Sequence, residues 1–259
     1  MIQGDVTSVA PYIIDIGTYA LSLGLIGGYH VYLKTRLRRD PSYTIQSVNN
    51  DARAAWVENI MAERNNAILA VQTLRNSTMA ATFLASTAIL LMMGTLNLMQ
   101  NSNNTNSLLH SLQSGIAAGD DMEQIKLLIL LATFFWAFFS FSLALRMYNH
   151  VGYLINASND KHQFHPTAHY ISRLLNRSGN YYSLGMRAYY ISVPLVFALF
   201  NPYYIVIASV ALIMALYHID RAPDTQPHIS DIDNRKKLNE PKLQFKVAVP
   251  EDNRKISGF

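Results

Sequence analysis

Apolar residues in this chain gather in long blocks instead of the short alternations of a soluble fold. Residues 12–33, 77–99 and 125–145 each run for roughly 20 positions with almost no charge, the length that a ~30 Å hydrocarbon layer asks of a helix. A fourth block, 188–219, is longer and is interrupted by Asn201 and Pro202. As one straight helix it would run ~48 Å at ~1.5 Å per residue, too long for one crossing without extreme tilt. Proline lacks a backbone donor and pushes the residue before it out of the helical region. Two arrangements remain for this block. In the preferred one, two short helices form a hairpin that returns to the cytoplasm. In the other, 180–200 lies at the interface and only 203–219 crosses. The pattern therefore predicts an all-α polytopic membrane helical bundle, with three full spans plus a proline-broken fourth hydrophobic segment.

The polar stretches add detail. Between the first two spans, 51–75 reads as a cytoplasmic helix. Asp51 stands at its cap, Trp56, Ile60, Ile68 and Val71 recur at helical spacing, and the helix leads almost directly into the second span. Residues 222–259 are polar, punctuated by Pro223, Pro227, Pro241 and Pro250, and read as a mostly extended tail. The chain thus divides into a transmembrane domain, 1–221, and that tail. No internal repeat is visible.

Charge fixes an orientation. Residues 1–11 hold no Lys or Arg, whereas Lys34, Arg36, Arg38 and Arg39 follow the first span and Arg53, Arg64 and Arg75 precede the second. The Asn/Ser-rich 100–124 loop again holds none, and 146–187 carries Arg146, Lys161, Arg173, Arg177 and Arg187 against the single acid Asp160. This alternation puts the N-terminus outside, 34–76 and 146–187 in the cytoplasm, and the tail there too. The first span lacks a basic leader and reads as retained, not cleaved. The net charge of +4 is thus a topology signal, and no basic stretch interleaved with stacking aromatics suggests nucleic acid as a partner. With half the residues apolar, only 15% charged and no cysteine, a disordered chain, a disulfide framework and a thiolate metal site are all excluded.

Candidate chemistry is sparse. Ala20, Gly24 and Gly28 form a small-residue stripe that lets helix backbones approach closely, first of all within this chain. Arg75, Thr78, Thr82 and Ser86 form a polar seam expected to act as packing glue. Where the spans meet the cytoplasm, His30, Arg75, Asn76, Arg146, Asn149, His150 and Arg187 come to one level as a candidate polar ring. Ionisable groups near hydrocarbon are functional candidates, although arginines at helix ends also snorkel with no site at all. His162, His165 and His169 recur at helical spacing, but Pro166 interrupts them and no carboxylate or cysteine joins them, so no metal is expected. A haem between His30 and His150 is compatible with ligand type. Both sit at the membrane edge beside tyrosines that suit an interfacial belt, so no cofactor is expected. No nucleotide loop, nucleophile elbow or paired-carboxylate constellation appears.

Several segments together resemble the membrane-protein family called domain of unknown function 599. They are Tyr29-His30, the run from Ala70 to Ser77 containing Gln-Thr-Leu-Arg-Asn, Ala80 to Thr82, Leu84 to Ala88, Arg146 to His150, Gly185 to Tyr190 with Pro194, and Pro202. The resemblance covers roughly 12–221; Asn201 stands where the family pattern has glycine. It implies a multi-span helical protein, found mainly in bacteria and also in plants, and no assigned activity. Together with the charge pattern, it makes the bacterial inner membrane the expected location. The functional expectation is a non-enzymatic integral membrane module in the lipid bilayer, self-associating or joined to other membrane subunits. The alternative is a small-solute channel or transporter using the broken last segment and the polar ring. A membrane enzyme moving protons through His30 and His150 is a weaker third.

Overall fold

The computed structural model describes residues 3–40, 43–62, 66–100, 120–157 and 166–221. Their helices are α1 (Gln3–Arg39), α2 (Ile45–Ala62), α3 (Ala67–Gln100), α4 (Asp120–Ala157), α5 (Ala168–Phe200) and α6 (Pro202–Asp220), with no β-sheet among the described residues. Most of the 100–124 loop, the tail and two of the three clustered histidines, His162 and His165, lie outside them.

A seam along α4 organises the packing. Its buried positions are Leu127, Leu130, Phe134, Ala137, Phe141, Ala144, Tyr148, Val151 and Ile155. Steps of three and four alternate, a period of 3.5 that keeps one face on its neighbours where helices cross at about 20°. α3 meets the seam with Ala81, Ala85 and Ala88, and α5 with Gly185 and Ala188. Lipid tails are as apolar as the core, so association rests on close contact. Phe141 supplies it: a Cβ on Gly185 would stand 2.7 Å from the ring. The Tyr189 hydroxyl donates to the Leu84 carbonyl across the same junction. Outward, α3, α4 and α6 display Phe83, Leu90, Phe135, Trp136, Ile207 and Met214. Helices apolar on every side belong in a bilayer. α3, α4, α5 and α6 are long and apolar enough to cross one, and the 37-residue α1 carries the 12–33 block.

The fourth hydrophobic block consists of two helices. Asn201 is extended (φ −158°, ψ 138°); its amide donates to the Phe197 carbonyl, its side chain accepts from the Tyr203 amide, and Pro202 opens α6. α6 returns along α5, and Asp220 at its far end reaches Arg187 at 3.7 Å. α5 and α6 thus form a helical hairpin. Only its first arm differs in size: α5 is a 33-residue helix capped by Thr167, and it absorbs 168–187 as well.

Three expectations change. The 51–75 helix is divided: α2 begins at Ile45, where the Thr44 hydroxyl accepts from the Ser47 amide, and 67–75 belongs to the α3 helix that continues through the second span. Asp51 is exposed inside α2, not at its cap. The supposed single stripe fails because Val57 and Ile60 are buried but Ile68 and Val71 are not, so the phase changes between the two helices. The Thr82 and Ser86 face of α3 is exposed, and the Thr82 hydroxyl donates back to the Thr78 carbonyl of its own helix, so it glues nothing within the chain. Finally, α1 packs on α6 through Tyr29, Leu33 and a bond between the Ser22 and Ser209 hydroxyls. Ala20, Gly24 and Gly28 turn away from that contact. They are exposed, and a Cβ on either glycine would meet nothing within 4 Å, so this face lacks the expected intrachain contact among the described residues.

Candidate functional site

α2 lies on α5 along a polar seam. Gln46 donates to Asn180 (2.8 Å) and accepts from Ser183 (2.9 Å), and the Asn176 amide donates to the Asn50 carbonyl (3.1 Å). One turn further along α2 comes Arg53, whose Nη1 donates to the Asn50 side chain at 3.1 Å. Its guanidinium lies against the backbone at Gly179, where a Cβ would stand 2.5 Å from Cζ. Any larger residue at 179 would push the guanidinium out of this position. Burial pulls the Arg53 pKa below the ordinary arginine value. Guanidinium nevertheless stays charged in proteins.

Arg53 faces a cavity of about 680 Å³. α2 contributes Asn49 and Trp56, α3 contributes Thr73, Asn76, Ser77 and Ala80, and Tyr148, Leu175 and Tyr182 come from α4 and α5. Two α3 side chains on this wall, Thr73 and Ser77, donate to Leu69 and Thr73 carbonyls, leaving hydroxyl lone pairs and the Asn76 amide toward the void. Among the described residues no acid lines it and no carboxylate pairs with Arg53.

The polar ring is distributed over several surroundings. Asn76 lies on the cavity wall, and Arg187 pairs with Asp220, which also accepts from the Tyr29 hydroxyl at 3.1 Å. His30 Nδ1 is 2.9 Å from the Ile26 carbonyl of its own helix. Arg75, Arg146, Asn149 and His150 are exposed. No hydrogen bond or ion pair joins one ring member to another among the described residues.

A second polar feature lies at the other end of the bundle. Lys126 of α4 meets Asp15 of α1 at 3.0 Å, with the side chains 6% and 1% exposed. Asp15 Oδ2 and the Tyr19 hydroxyl have no hydrogen-bond partner among the described residues, and they border a largely apolar cavity of about 600 Å³ between α1, α4, α5 and α6. Sequence reasoning passed over Lys126, and it counted Arg53 only as a topology charge. Both were signalled: opposite charges stand inside two apolar blocks, and Gln46, Asn50 and Arg53 share one face of α2 at steps of four and three.

The family described as "Protein of unknown function, DUF599" matches residues 18–225, so the chain belongs to that family. The match includes every residue lining the Arg53 cavity, with Thr73, Asn76 and Ser77 among them. No curated protein and no solved structure matches the chain.

Proposed function

We propose that this protein is a non-enzymatic membrane module that self-associates, or joins a larger membrane complex, through the open face of α1. The observation that carries this reading is the position of Ala20, Gly24 and Gly28, exposed away from the α6 contact, with nothing among the described residues within 4 Å of a Cβ on either glycine. Glycine costs a helix interior ~1 kcal/mol relative to alanine. α1 accepts that cost at Gly17, Gly24, Gly27 and Gly28, with no packing among the described residues to offset it. A second helix on this face would gain the close backbone approach that such residues permit.

The setting is the bacterial inner membrane, with the N-terminus outside and 34–76, 146–187 and the tail cytoplasmic, as the Lys/Arg distribution supports. Transport of a small solute is the second reading. It draws on the Asp15–Lys126 pair beside its cavity, since ionisable groups within a span mark solute paths by default. The break at Asn201 lends it less, because capping already satisfies the amides there.

Oligomeric state in mild detergent tests the module. The chain has no cysteine, so Gly24→Cys places a lone thiol on the stripe. Oxidation should convert that variant to a covalent dimer, and Gly24→Leu should shift the native assembly toward monomer. A monomer in every preparation, with no dimer from the thiol, defeats the reading in its self-associating form.

A further inference from the structure

We propose that the Arg53 cavity is a binding site for a phosphate-type oxyanion, carried by a lipid headgroup or by a free phosphate compound. A half-buried guanidinium has lost part of its hydration and gains from a counter-ion. Arg53 has one hydrogen bond, to a neutral amide, and no carboxylate partner among the described residues. Gly179 holds its plane against the α5 backbone while the side chain borders the void. A planar fork of donors in fixed orientation suits bidentate capture of phosphate oxygens.

The rest of the wall fits the same class. Asn76, Trp56 and Tyr182 bring an amide, an indole and a phenol, each able to donate, and no acid among the described residues opposes them. A void of about 680 Å³ exceeds what a bare phosphate fills, and Ala80 and Leu175 give its remainder apolar walls. The site would therefore accommodate an ester substituent as well as the charged group. It is separate from the open face of α1 and stands whether or not the chain self-associates.

The test uses the full chain in an uncharged detergent, with phosphatidylglycerol and inorganic phosphate as probes and phosphatidylcholine as the zwitterionic control. Of the two tryptophans, Trp56 lines the cavity and Trp136 faces outward. In a Trp136→Phe background the emission of Trp56 reports on the site, and melting temperature gives an independent readout. An anionic probe should give a saturable change in both, and phosphatidylcholine should not. Response to phosphatidylglycerol alone identifies a lipid headgroup; response to inorganic phosphate identifies a free anion.

Arg53→Gln should weaken the response at least tenfold. Asn76→Asp should do the same while keeping arginine and side-chain shape, because it supplies a carboxylate on the cavity wall. Arg146→Gln removes an exposed charge outside the cavity and should leave the response unchanged. The proposal is overturned if neither probe gives a saturable signal in either readout. It is equally overturned if binding survives both Arg53→Gln and Asn76→Asp, or falls as far with Arg146→Gln.

Discussion

At the residue scale, Asp15 and Lys126 carry the largest energetic stake. Two opposite charges lie almost wholly inside the protein at 3.0 Å. Desolvating such a pair can cost as much as its attraction returns, but removing one partner strands the other, at about 3–5 kcal/mol. Asp15→Asn should therefore lower the melting temperature sharply, whereas Asp15→Leu combined with Lys126→Leu should recover most of the loss. Thermal unfolding of the three variants in one detergent checks this. A single variant as stable as wild type would show that Lys126 reaches water or lipid phosphate by another route. Gly179 and Arg53 make a contrasting pair, in which the absence of one side chain makes room for another.

At the element scale, the helices differ in how their ends and faces are held, and this decides which arginines matter to stability. Arg187 on α5 reaches Asp220 at the end of α6, where Tyr29 of α1 also donates, so three helices meet in one polar knot. Arg187→Leu leaves the half-buried carboxylate with the tyrosine alone and should cost ~1 kcal/mol, because both partners of the pair keep some access to solvent. Arg146 is exposed on α4, and Arg146→Leu should stay within ~0.5 kcal/mol, as surface changes do. Equal losses from both would contradict this separation. The two arginines looked alike in the sequence because each follows or opens an apolar block; depth along a helix is readable there, whereas the facing partner 33 residues downstream is not. The blocks themselves were legible, as was the Asn201 and Pro202 break, because span length and proline chemistry act locally. Arg53 was harder to read, since its surroundings come from α3, α4 and α5. The phase of α2 against α3 was also hidden, because an apolar residue facing lipid and one facing the core carry the same signal.

At the scale of the whole molecule, the ends of α1 and α6 must lie on one side if the last two helices form a hairpin. Thr44, just before α2, pairs its backbone with Arg221, just after α6. Partners in an antiparallel bridge have Cα atoms ~4.5–5.5 Å apart, inside the ~4.4–6.8 Å range of disulfides. In this cysteine-free chain, Thr44→Cys with Arg221→Cys should oxidise to an intramolecular disulfide, read as loss of both thiols with no covalent dimer. The exposed Arg39 and Arg221 then report on sidedness. Single variants Arg39→Cys and Arg221→Cys should both resist an impermeant thiol reagent in intact cells and both react once the membrane is opened. Opposite behaviour of the two would break the hairpin. Rapid reaction of both in intact cells would keep the fold and reverse the orientation, moving the Arg53 cavity to the outer face. The phosphate chemistry proposed for that cavity would then have to be supplied by the outer leaflet, so the same labelling pattern decides which side must deliver its ligand.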